Sequence, residues 1–341
     1  MRIAHAVLTS RFAGSERYAV ELASAQAAQG HAVAIVLRAA GCAERPDAIA
    51  SRVSAGVEVL RVPDWLPAWH AARALARWRP DVAHAHLSAG CRALHRLEGR
   101  MLRVATLHIR YKPRQHAALD GLVAIAPWQL EAIPAGLCER TVQLDNWTHP
   151  RPVDGGARAR LRAELGIAPD AFLFGTLGRV EASKGHDTLV RAFRKAAIPG
   201  ARLAIVGQGR AWSAVRRLAG EDVLMPGFTA DPAPWYAAFD AFVSAARSEP
   251  FGLVLLEAME AGLPIVATAS EGARHLAPRL GRPLVPVDDV DALAEALRRV
   301  ASAGTARIAY DMEPFRLQPR LADFDAFYRR TAAARGLRLP A

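Results

Sequence analysis

Residues 249–268 read EPFGLVLLEAMEAGLPIVAT, and this stretch decides the fold. A β-rich run precedes it, and Pro250 is favoured in the first turn of a helix, so the pattern predicts a helix that begins beside Gly252 at the end of a strand. The first turn of such a helix presents N–H groups and the positive end of the helix dipole to an anion. Glu257 and Glu249 carry carboxylates that can accept hydrogen bonds from ribose and sugar hydroxyls. The alternative is a surface helix with two solvated glutamates.

The alternation of short strands and helical stretches runs along the whole chain. Apolar β-rich runs separated by Ala-, Leu- and Arg-rich stretches are typical of parallel sheets with helices on both faces. The predicted strands are Ile3–Leu8, Ala32–Leu37, Val57–Val62, Val82–His86, Val104–His108, Leu122–Ile125, Phe172–Gly178, Arg202–Val206, Val223–Met225, Ala241–Ala245 and Pro264–Ala267. The alternation stops between Leu144 and Gly156, which predicts a linker. We therefore expect an α/β protein with two doubly wound domains and ligands at the carboxyl ends of the strands.

The composition limits the function classes. The chain has 341 residues with 52% hydrophobic and 23% charged, which excludes a disordered or low-complexity protein and suggests two domains. The three cysteines show no metal-ligand spacing, so neither a disulfide framework nor a zinc site is expected. The apolar run Ile3–Leu8 is too short for a signal peptide, and no window of about 20 uncharged apolar residues could span a bilayer. We expect a cytoplasmic protein.

A basic segment suggests an anionic partner. The formal net charge is +11, and residues 91–114 hold seven bases against one acid. Arg92, Arg96 and Arg100 recur every four residues, which on a helix places them on one face. The hypothesis is peripheral docking on anionic lipid at the inner face of the cytoplasmic membrane, or on a phosphorylated glycolipid acceptor. A solvated helix face is the alternative.

Several motifs, taken in order, resemble those of the retaining glycosyltransferases of family 4. The resemblance covers almost the whole length, and the 249–268 stretch is its most specific part. In the second half the other matching motifs are Gly178–Gly185 (GRVEASKG), Leu203–Gly209 (LAIVGQG) and Met225–Phe228 (MPGF). In the first half they are Gly30–Val33, Asp81–His86 and Thr106–His108.

The resemblance implies the GT-B fold, which has two Rossmann-like domains facing a central cleft. Residues 1–148 would form the acceptor-binding domain, 149–314 the nucleotide-sugar-binding domain, and 315–341 a helical segment that returns to the first domain. The implied activity moves a sugar from a nucleoside diphosphate sugar to a hydroxyl of a glycan or glycolipid, and the family's habits and the basic segment suggest bacterial cell-envelope polysaccharide or lipopolysaccharide synthesis. The donor sugar, the nucleotide base, the acceptor, the linkage and the oligomeric state remain open.

The resemblance also assigns residue roles. Arg179 and Lys184 would bind the donor diphosphate, Glu257 the ribose and Glu249 the sugar hydroxyls. Gly14 would approach the diphosphate from the first domain, and His108 would lie near the sugar and the acceptor. The implied catalytic residues are His108, Arg179, Lys184 and Glu249. The implied donor-binding residues are Gly14, Arg179, Lys184, Gly207, Glu249, Phe251, Gly252, Leu253 and Glu257. No essential metal or other cofactor is expected.

Other interpretations remain in view. A GT-B-fold epimerase or phosphorylase is the nearest alternative. A nicotinamide-dependent oxidoreductase is a weaker one, since neither domain shows a full GxGxxG after its first strand. The calculated pI near 10.5 suggests nucleic acid, but no aromatic residues interleave with the bases, so nucleic acid is not expected as a partner. His84 and His86 are interpreted as packing or loop residues.

Overall fold

The chain forms two compact units. The computed structural model describes residues 1–97, 99, 101–151 and 154–340. Unit 1 comprises Met1–Asn146 with Leu317–Ala341, and unit 2 comprises Trp147–Arg316. The boundaries predicted after residues 148 and 314 each lie two residues from the observed ones.

Unit 1 is built on a seven-stranded parallel sheet. Its strands are β1 (Arg2–Val7), β2 (Ala32–Arg38), β3 (Val57–Val62), β4 (Val82–His86), β5 (Leu102–Leu107), β6 (Gly121–Ala124) and β7 (Thr141–Gln143). They lie in the order β3-β2-β1-β4-β5-β6-β7, so β1 pairs with both β2 and β4. The sequence predicts six of these strands. It misses β7, whose three half-buried residues are too short for a recognisable pattern.

Helices cover this sheet on both faces. They are α1 (Gly14–Ala28), α2 (Pro67–Trp78), α3 (Leu87–Leu94), α4 (Pro113–His116) and α5 (Ala135–Cys138). Successive strand residues point to opposite faces, and accordingly Ala34 and Val36 belong to one buried apolar cluster while Val33 and Ile35 belong to another. A sheet buried on both faces explains the continuous apolar runs in the sequence.

Unit 2 is built on a five-stranded parallel sheet in the order β10-β9-β8-β11-β12. The strands are β8 (Leu173–Leu177), β9 (Arg202–Val206), β10 (Val223–Gly227), β11 (Ala241–Ser244) and β12 (Ile265–Ala267). The helices are α6 (Ala157–Glu164), α7 (His186–Ala196), α8 (Trp212–Leu218), α9 (Ala233–Ala238), α10 (Leu253–Glu260), α11 (Glu271–Leu280) and α12 (Val290–Ser302). The strand order reverses direction between β8 and β11, which is where ligands bind in open parallel sheets.

The last helix, α13 (Leu317–Ala334), packs on unit 1. Phe324, Phe327 and Tyr328 are fully buried there. The Tyr328 hydroxyl lies 2.8 Å from His84 Nδ1 on β4, which ties the end of the chain to the sheet. The predicted return of the C-terminal helix to the first domain is therefore confirmed, as is the α/β class with two parallel sheets.

Candidate active site

Lys184 and Glu249 form an ion pair where two strand ends of unit 2 meet. Lys184 ends a 3-10 turn, Ala182–Lys184, that follows β8, and Glu249 follows β11. Because β8 and β11 are paired neighbours, their carboxyl ends bring the two loops together. Lys184 Nζ donates to Glu249 Oε2 at 2.5 Å, with 22% and 15% of the two side chains exposed. A partly exposed ammonium group can exchange this carboxylate for the oxygens of a phosphate.

Arg247 holds the two loops together, although the sequence does not single it out. Its guanidinium donates to the Ala182 carbonyl at 2.6 Å and to both carboxylate oxygens of Asp187 at 2.9 Å. Its backbone N–H donates to the Ser183 carbonyl at 2.8 Å. The hydrogen bonds with Asp187 raise the pKa of Arg247 and lower the pKa of the Asp187 carboxyl. The turn that carries Lys184 is therefore fixed by a residue that follows β11. Arg247 does not stand out in the sequence, because the chain contains many arginines.

Helix α10 begins later than the sequence predicts. It starts at Leu253, and Gly252 is its N-cap with a φ of 96°. The expectation that Pro250 lies in the first turn is wrong, because a left-handed residue between Pro250 and Leu253 interrupts any helical path. The Gly272 N–H donates to the Glu249 carbonyl at 2.7 Å, which ties the loop before α10 to the start of α11. Gly252 still stands at the start of the helix.

Phe251 is a core residue by its side chain. The side chain is 2% exposed, and its ring centroid lies 5.7 Å from that of His275 and 6.5 Å from that of Phe315. Leu253, the first residue of α10, is half-buried. Of the predicted donor-binding residues at this helix start, Phe251 can therefore offer only its backbone to a ligand.

Glu257 lies on α10 beside a cavity of 310 Å³ within unit 2. Its Oε1 accepts from Arg151 Nη2 at 3.2 Å, and its Oε2 accepts from the Tyr236 hydroxyl at 2.7 Å. The cavity is lined by Thr148, His149, Arg151, Asp154, Gly155, Arg158, Ala233, Tyr236, Ala237, Glu257, Glu260, Ala261 and Arg307. Pockets for small ligands start at about this volume. Glu257 thus has a fixed orientation at a space that a ligand could occupy, and Lys184 does not line that space.

Gly207 has a structural reason to be glycine. Its φ is 144°, and a Cβ at this position would lie 1.8 Å from the carbonyl oxygen of Gly178. The two glycines stand at the ends of β9 and β8, where this close approach lets the Gly178 N–H donate to the Val206 carbonyl at 3.0 Å. Arg179, which follows Gly178, is exposed, and no ion pair joins its guanidinium to any residue of the described chain. Its charge is available to a ligand.

Gly14 is the first residue of α1 rather than part of the loop before it. The free N–H groups at this helix start are partly engaged by Glu16, whose carboxylate accepts from the Ala13 N–H at 3.1 Å. The same carboxylate accepts from the Thr9 hydroxyl at 2.7 Å and the Ser15 hydroxyl at 3.0 Å. The approach of Gly14 to the donor diphosphate remains a prediction. An anion at this helix start would lie near the negatively charged Glu16 carboxylate.

His108 directly follows β5 and is half-buried. Its Nε2 lies 3.0 Å from Nδ1 of His86. His84 and His86 lie on β4 and are fully buried. They are therefore packing residues, as the sequence suggested, and the alternative that they belong to a loop is wrong. Burial lowers the pKa of His108 to about 3, which keeps it neutral at pH 7.

The basic segment does not form one helical face. Helix α3 ends at Leu94, so Arg92 lies in its last turn and Arg96 lies in the turn beyond it. Both arginines are exposed, and Arg96 Nη1 donates to the Arg92 carbonyl at 2.8 Å. The third predicted member, Arg100, lies outside the described residues.

An exposed aromatic group on unit 1 was not predicted. Trp65, Leu66 and Trp69 are 63%, 63% and 42% exposed at the start of α2. The Arg73 guanidinium lies 4.7 Å from the ring centroid of Trp69. The tryptophans in the WLPAW run were the available signal. None of the helices in the described part of the chain is both long enough and apolar enough to span a bilayer.

Two family models match the chain, one in each unit. Residues 12–144 match the model described as Glycosyltransferase Family 4, and residues 171–303 match the model described as Glycosyl transferases group 1. Two parallel sheets with flanking helices, together with the match to solved glycosyltransferase structures over nearly the whole chain, identify the GT-B type of fold. The chain belongs to the group 1 glycosyltransferases of the family 4 type.

Individual relatives match the chain in two ways, by sequence over part of its length and by structure over nearly all of it. The lipopolysaccharide core biosynthesis glycosyltransferase LpsE of Rhizobium meliloti is 31% identical over 153 residues, which are 43% of this chain. The match spans only 44% of that relative's length. A glycosyltransferase from Rickettsia africae is 16% identical with a TM-score of 0.78, covering 97% of this chain and 98% of that one. Anabaena Alr3699/HepE in complex with UDP and glucose is 19% identical with a TM-score of 0.74, covering 98% and 99%. These two structures establish the fold.

Proposed function

We propose that this chain is a retaining glycosyltransferase that transfers a sugar from a nucleoside diphosphate to a hydroxyl of a glycan or glycolipid. The observation that carries the proposal is the Lys184–Glu249 pair at the adjoining ends of β8 and β11, in a chain of this family. A diphosphate sugar needs a cation for its phosphates and an acceptor for its hydroxyls, and the pair supplies both. Arg179, exposed and without an ion pair to the described residues, adds a second cation in the loop before Lys184.

The chemistry follows from where charge develops. The bond between the anomeric carbon and the phosphate oxygen breaks, and negative charge accumulates on the departing diphosphate. Fixed cations and helix-start N–H groups, here Lys184 and the start of α10, oppose that charge and lower the barrier. The acceptor oxygen bonds to the anomeric carbon from the face that the phosphate leaves, and its proton passes to a donor phosphate oxygen. Configuration is retained, and no metal is required.

Glu257 is proposed to bind the ribose. A carboxylate accepts hydrogen bonds from a diol, and Tyr236 and Arg151 hold this one in a single orientation. The cavity beside Glu257 offers space of small-molecule size. The Anabaena protein was solved with UDP and glucose, which supports a nucleoside diphosphate sugar as the donor class.

The acceptor is proposed to be a bacterial envelope glycan or glycolipid. The similarity to a lipopolysaccharide core glycosyltransferase supports this assignment. The exposed Trp65, Leu66 and Trp69, on the same unit as Arg92 and Arg96, support peripheral contact with an anionic membrane. The proposed location is therefore the cytoplasmic side of the inner membrane.

Thermal-shift screening tests the donor class. UDP-, GDP- and ADP-sugars are added to the protein in parallel with NAD and NADP. One nucleoside diphosphate sugar should raise the unfolding midpoint, since a ligand at 100 times its Kd stabilises by about 2.7 kcal/mol. Stabilisation by a nicotinamide cofactor alone would contradict the proposal and favour an oxidoreductase.

A further inference from the structure

A line of hydrogen-bonded imidazoles runs through the core of unit 1 from Gln26 to His108. Gln26 Oε1 lies 2.8 Å from His5 Nε2. His5 Nδ1 lies 3.0 Å from His86 Nε2, and His86 Nδ1 lies 3.0 Å from His108 Nε2. Gln26, His5 and His86 are each at most 3% exposed, whereas His108 is half-buried. We call these four residues the histidine relay.

The relay has a direction. An amide oxygen only accepts, so the proton on His5 must be on Nε2, which leaves His5 Nδ1 as an acceptor. His86 must then donate from Nε2 and accept at Nδ1, and His108 must donate from Nε2. The last acceptor is His108 Nδ1, which has no hydrogen-bond partner among the residues that the structure describes.

The relay also explains why the cluster is not arranged as a metal site. Ring nitrogens of His5, His84 and His86 lie within 4.8 Å of one another, as three metal ligands could. The three rings lie close together, with centroids 4.6–5.3 Å apart and planes inclined by 22–32°. Both ring nitrogens of His5 and both of His86 are engaged within the relay, so neither ring has a lone pair left for a metal ion. Both nitrogens of His84 are also engaged, by Tyr328 and Thr106 at 2.8 Å each.

A relay of this kind requires neutral rings, each with one donor and one acceptor. Burial lowers the pKa of His5 to about 4 and the pKa of His108 to about 3. Burial also lowers the pKa of His86 well below its usual value. All three imidazoles are therefore neutral at pH 7.

We propose that Gln26, His5 and His86 are positioning residues that fix His108 as the neutral Nε2–H tautomer and keep Nδ1 as a hydrogen-bond acceptor for a substrate hydroxyl. The tautomer follows from the relay alone. That the hydroxyl belongs to a substrate rests on the proposed function. A histidine without this support would interconvert between tautomers and offer its acceptor only part of the time.

Nitrogen NMR of the full chain, labelled with 15N-histidine, reads the tautomer without any enzyme assay. His108→Asn identifies the His108 signals. In the wild type at pH 7 we expect His108 to show a protonated Nε2 and an unprotonated Nδ1. A His108 ring protonated at Nδ1, or an even mixture of the two tautomers, would overturn the proposal.

Two variants test the link to Gln26. Gln26→Leu removes the terminal acceptor, and we expect His108 to become a tautomer mixture. Thr106→Val is the matched control, because it removes a buried partner of His84 that lies outside the relay. A pure Nε2–H signal of His108 in folded Gln26→Leu would contradict the positioning role. If Gln26→Leu does not fold, the wild-type spectrum alone still decides the tautomer.

Activity separates the relay from the proposed function. In Gln26→Leu we expect transferase kcat to fall by roughly 10- to 100-fold while nucleotide affinity stays unchanged. An unchanged kcat would overturn the role in positioning. If no transferase activity is found in the wild type but His108 is the Nε2–H tautomer, the relay stands and the proposed function fails.

Discussion

Lys184 Nζ donates a 2.5 Å hydrogen bond to Glu249 Oε2, although the two residues are 65 positions apart in the sequence. The pairing of β8 with β11 produces this contact, and Arg247 fixes the turn that carries Lys184. Without a ligand the carboxylate neutralises the ammonium group. The proposed function predicts that a bound donor separates the pair, with phosphate oxygens on Lys184 and sugar hydroxyls on Glu249.

Replacing Lys184 with alanine should reduce turnover far more than stability. Loss of one preorganised group that stabilises developing charge costs roughly 10²–10³ in kcat. The pair is partly exposed, so its loss should change the free energy of unfolding by only about 1 kcal/mol. Steady-state kinetics and thermal unfolding measure the two effects. The control is Lys195→Ala, which removes a surface ion pair with Asp291 and should leave kcat unchanged. Equal turnover in both variants would remove Lys184 from the site.

Glu257→Ala should weaken nucleotide binding. Hydrogen bonds to a charged group contribute about 1.5–3 kcal/mol, so the Kd for the bare nucleoside diphosphate should rise roughly 10- to 100-fold. Calorimetric titration measures this change. Glu260→Ala is the matched control, since Glu260 lines the same cavity but pairs with Arg316 at 2.7 Å. If both variants bind the nucleotide as the wild type does, Glu257 does not contact the ribose.

Membrane contact should depend on both tryptophans and arginines of unit 1. Wild-type protein should co-sediment with vesicles that contain anionic phospholipid. Trp65→Ser with Trp69→Ser should reduce binding at every salt concentration, because interfacial aromatic burial is not screened. Arg92→Ser with Arg96→Ser should reduce it mainly at low salt, by about 1 kcal/mol per base. Sedimentation that neither double variant changes would show that this surface does not touch the membrane.

Acid should destabilise the protein as the pH falls from about 6.5 towards 4. His5 has its pKa lowered to about 4 by burial, while an unfolded histidine titrates near 6.5. In this window the unfolded chain binds a proton that the folded chain does not. Stability therefore falls by up to about 1.4 kcal/mol per pH unit for each such histidine.

The slope of the unfolding midpoint against pH tests this expectation. His5→Asn removes one buried titrating ring and should give a shallower slope than the wild type, whatever its starting midpoint. His149→Asn changes an exposed histidine of unit 2 and serves as the control. Identical slopes in the wild type and His5→Asn would show that His5 is not held neutral by the fold.

The sequence predicts every strand described above except β7, because each of the others is a recognisable apolar run. Buried parallel strands are continuous apolar runs, and the helices between them are long enough to recognise. Helix ends were less predictable, since they depend on distant contacts. Gly252 adopts a left-handed φ of 96°, so α10 starts after Pro250 rather than at it, and the loop before it is held by the hydrogen bond from the Gly272 N–H to the Glu249 carbonyl.

The candidate site was predictable only where a motif marks it. Lys184 and Glu249 stand in recognisable loops, and strand order then explains their contact. Arg247 was hidden by the abundance of arginine. His84 and His86 are two residues apart on β4 and so point to the same face of the sheet. His84 pairs with His5 of β1, so the correct strand register would have placed three histidines on that face. That register comes from the tertiary fold.

The anomeric configuration of the product tests the central claim most directly. The nucleoside diphosphate sugar that stabilises the protein is incubated with lipopolysaccharide core oligosaccharides, and the new linkage is read by proton NMR. From an α-linked donor we expect an α-linked product that forms with wild-type protein and not with Lys184→Ala. A β-linked product, or donor consumption that yields an epimer without any transfer, would contradict the account.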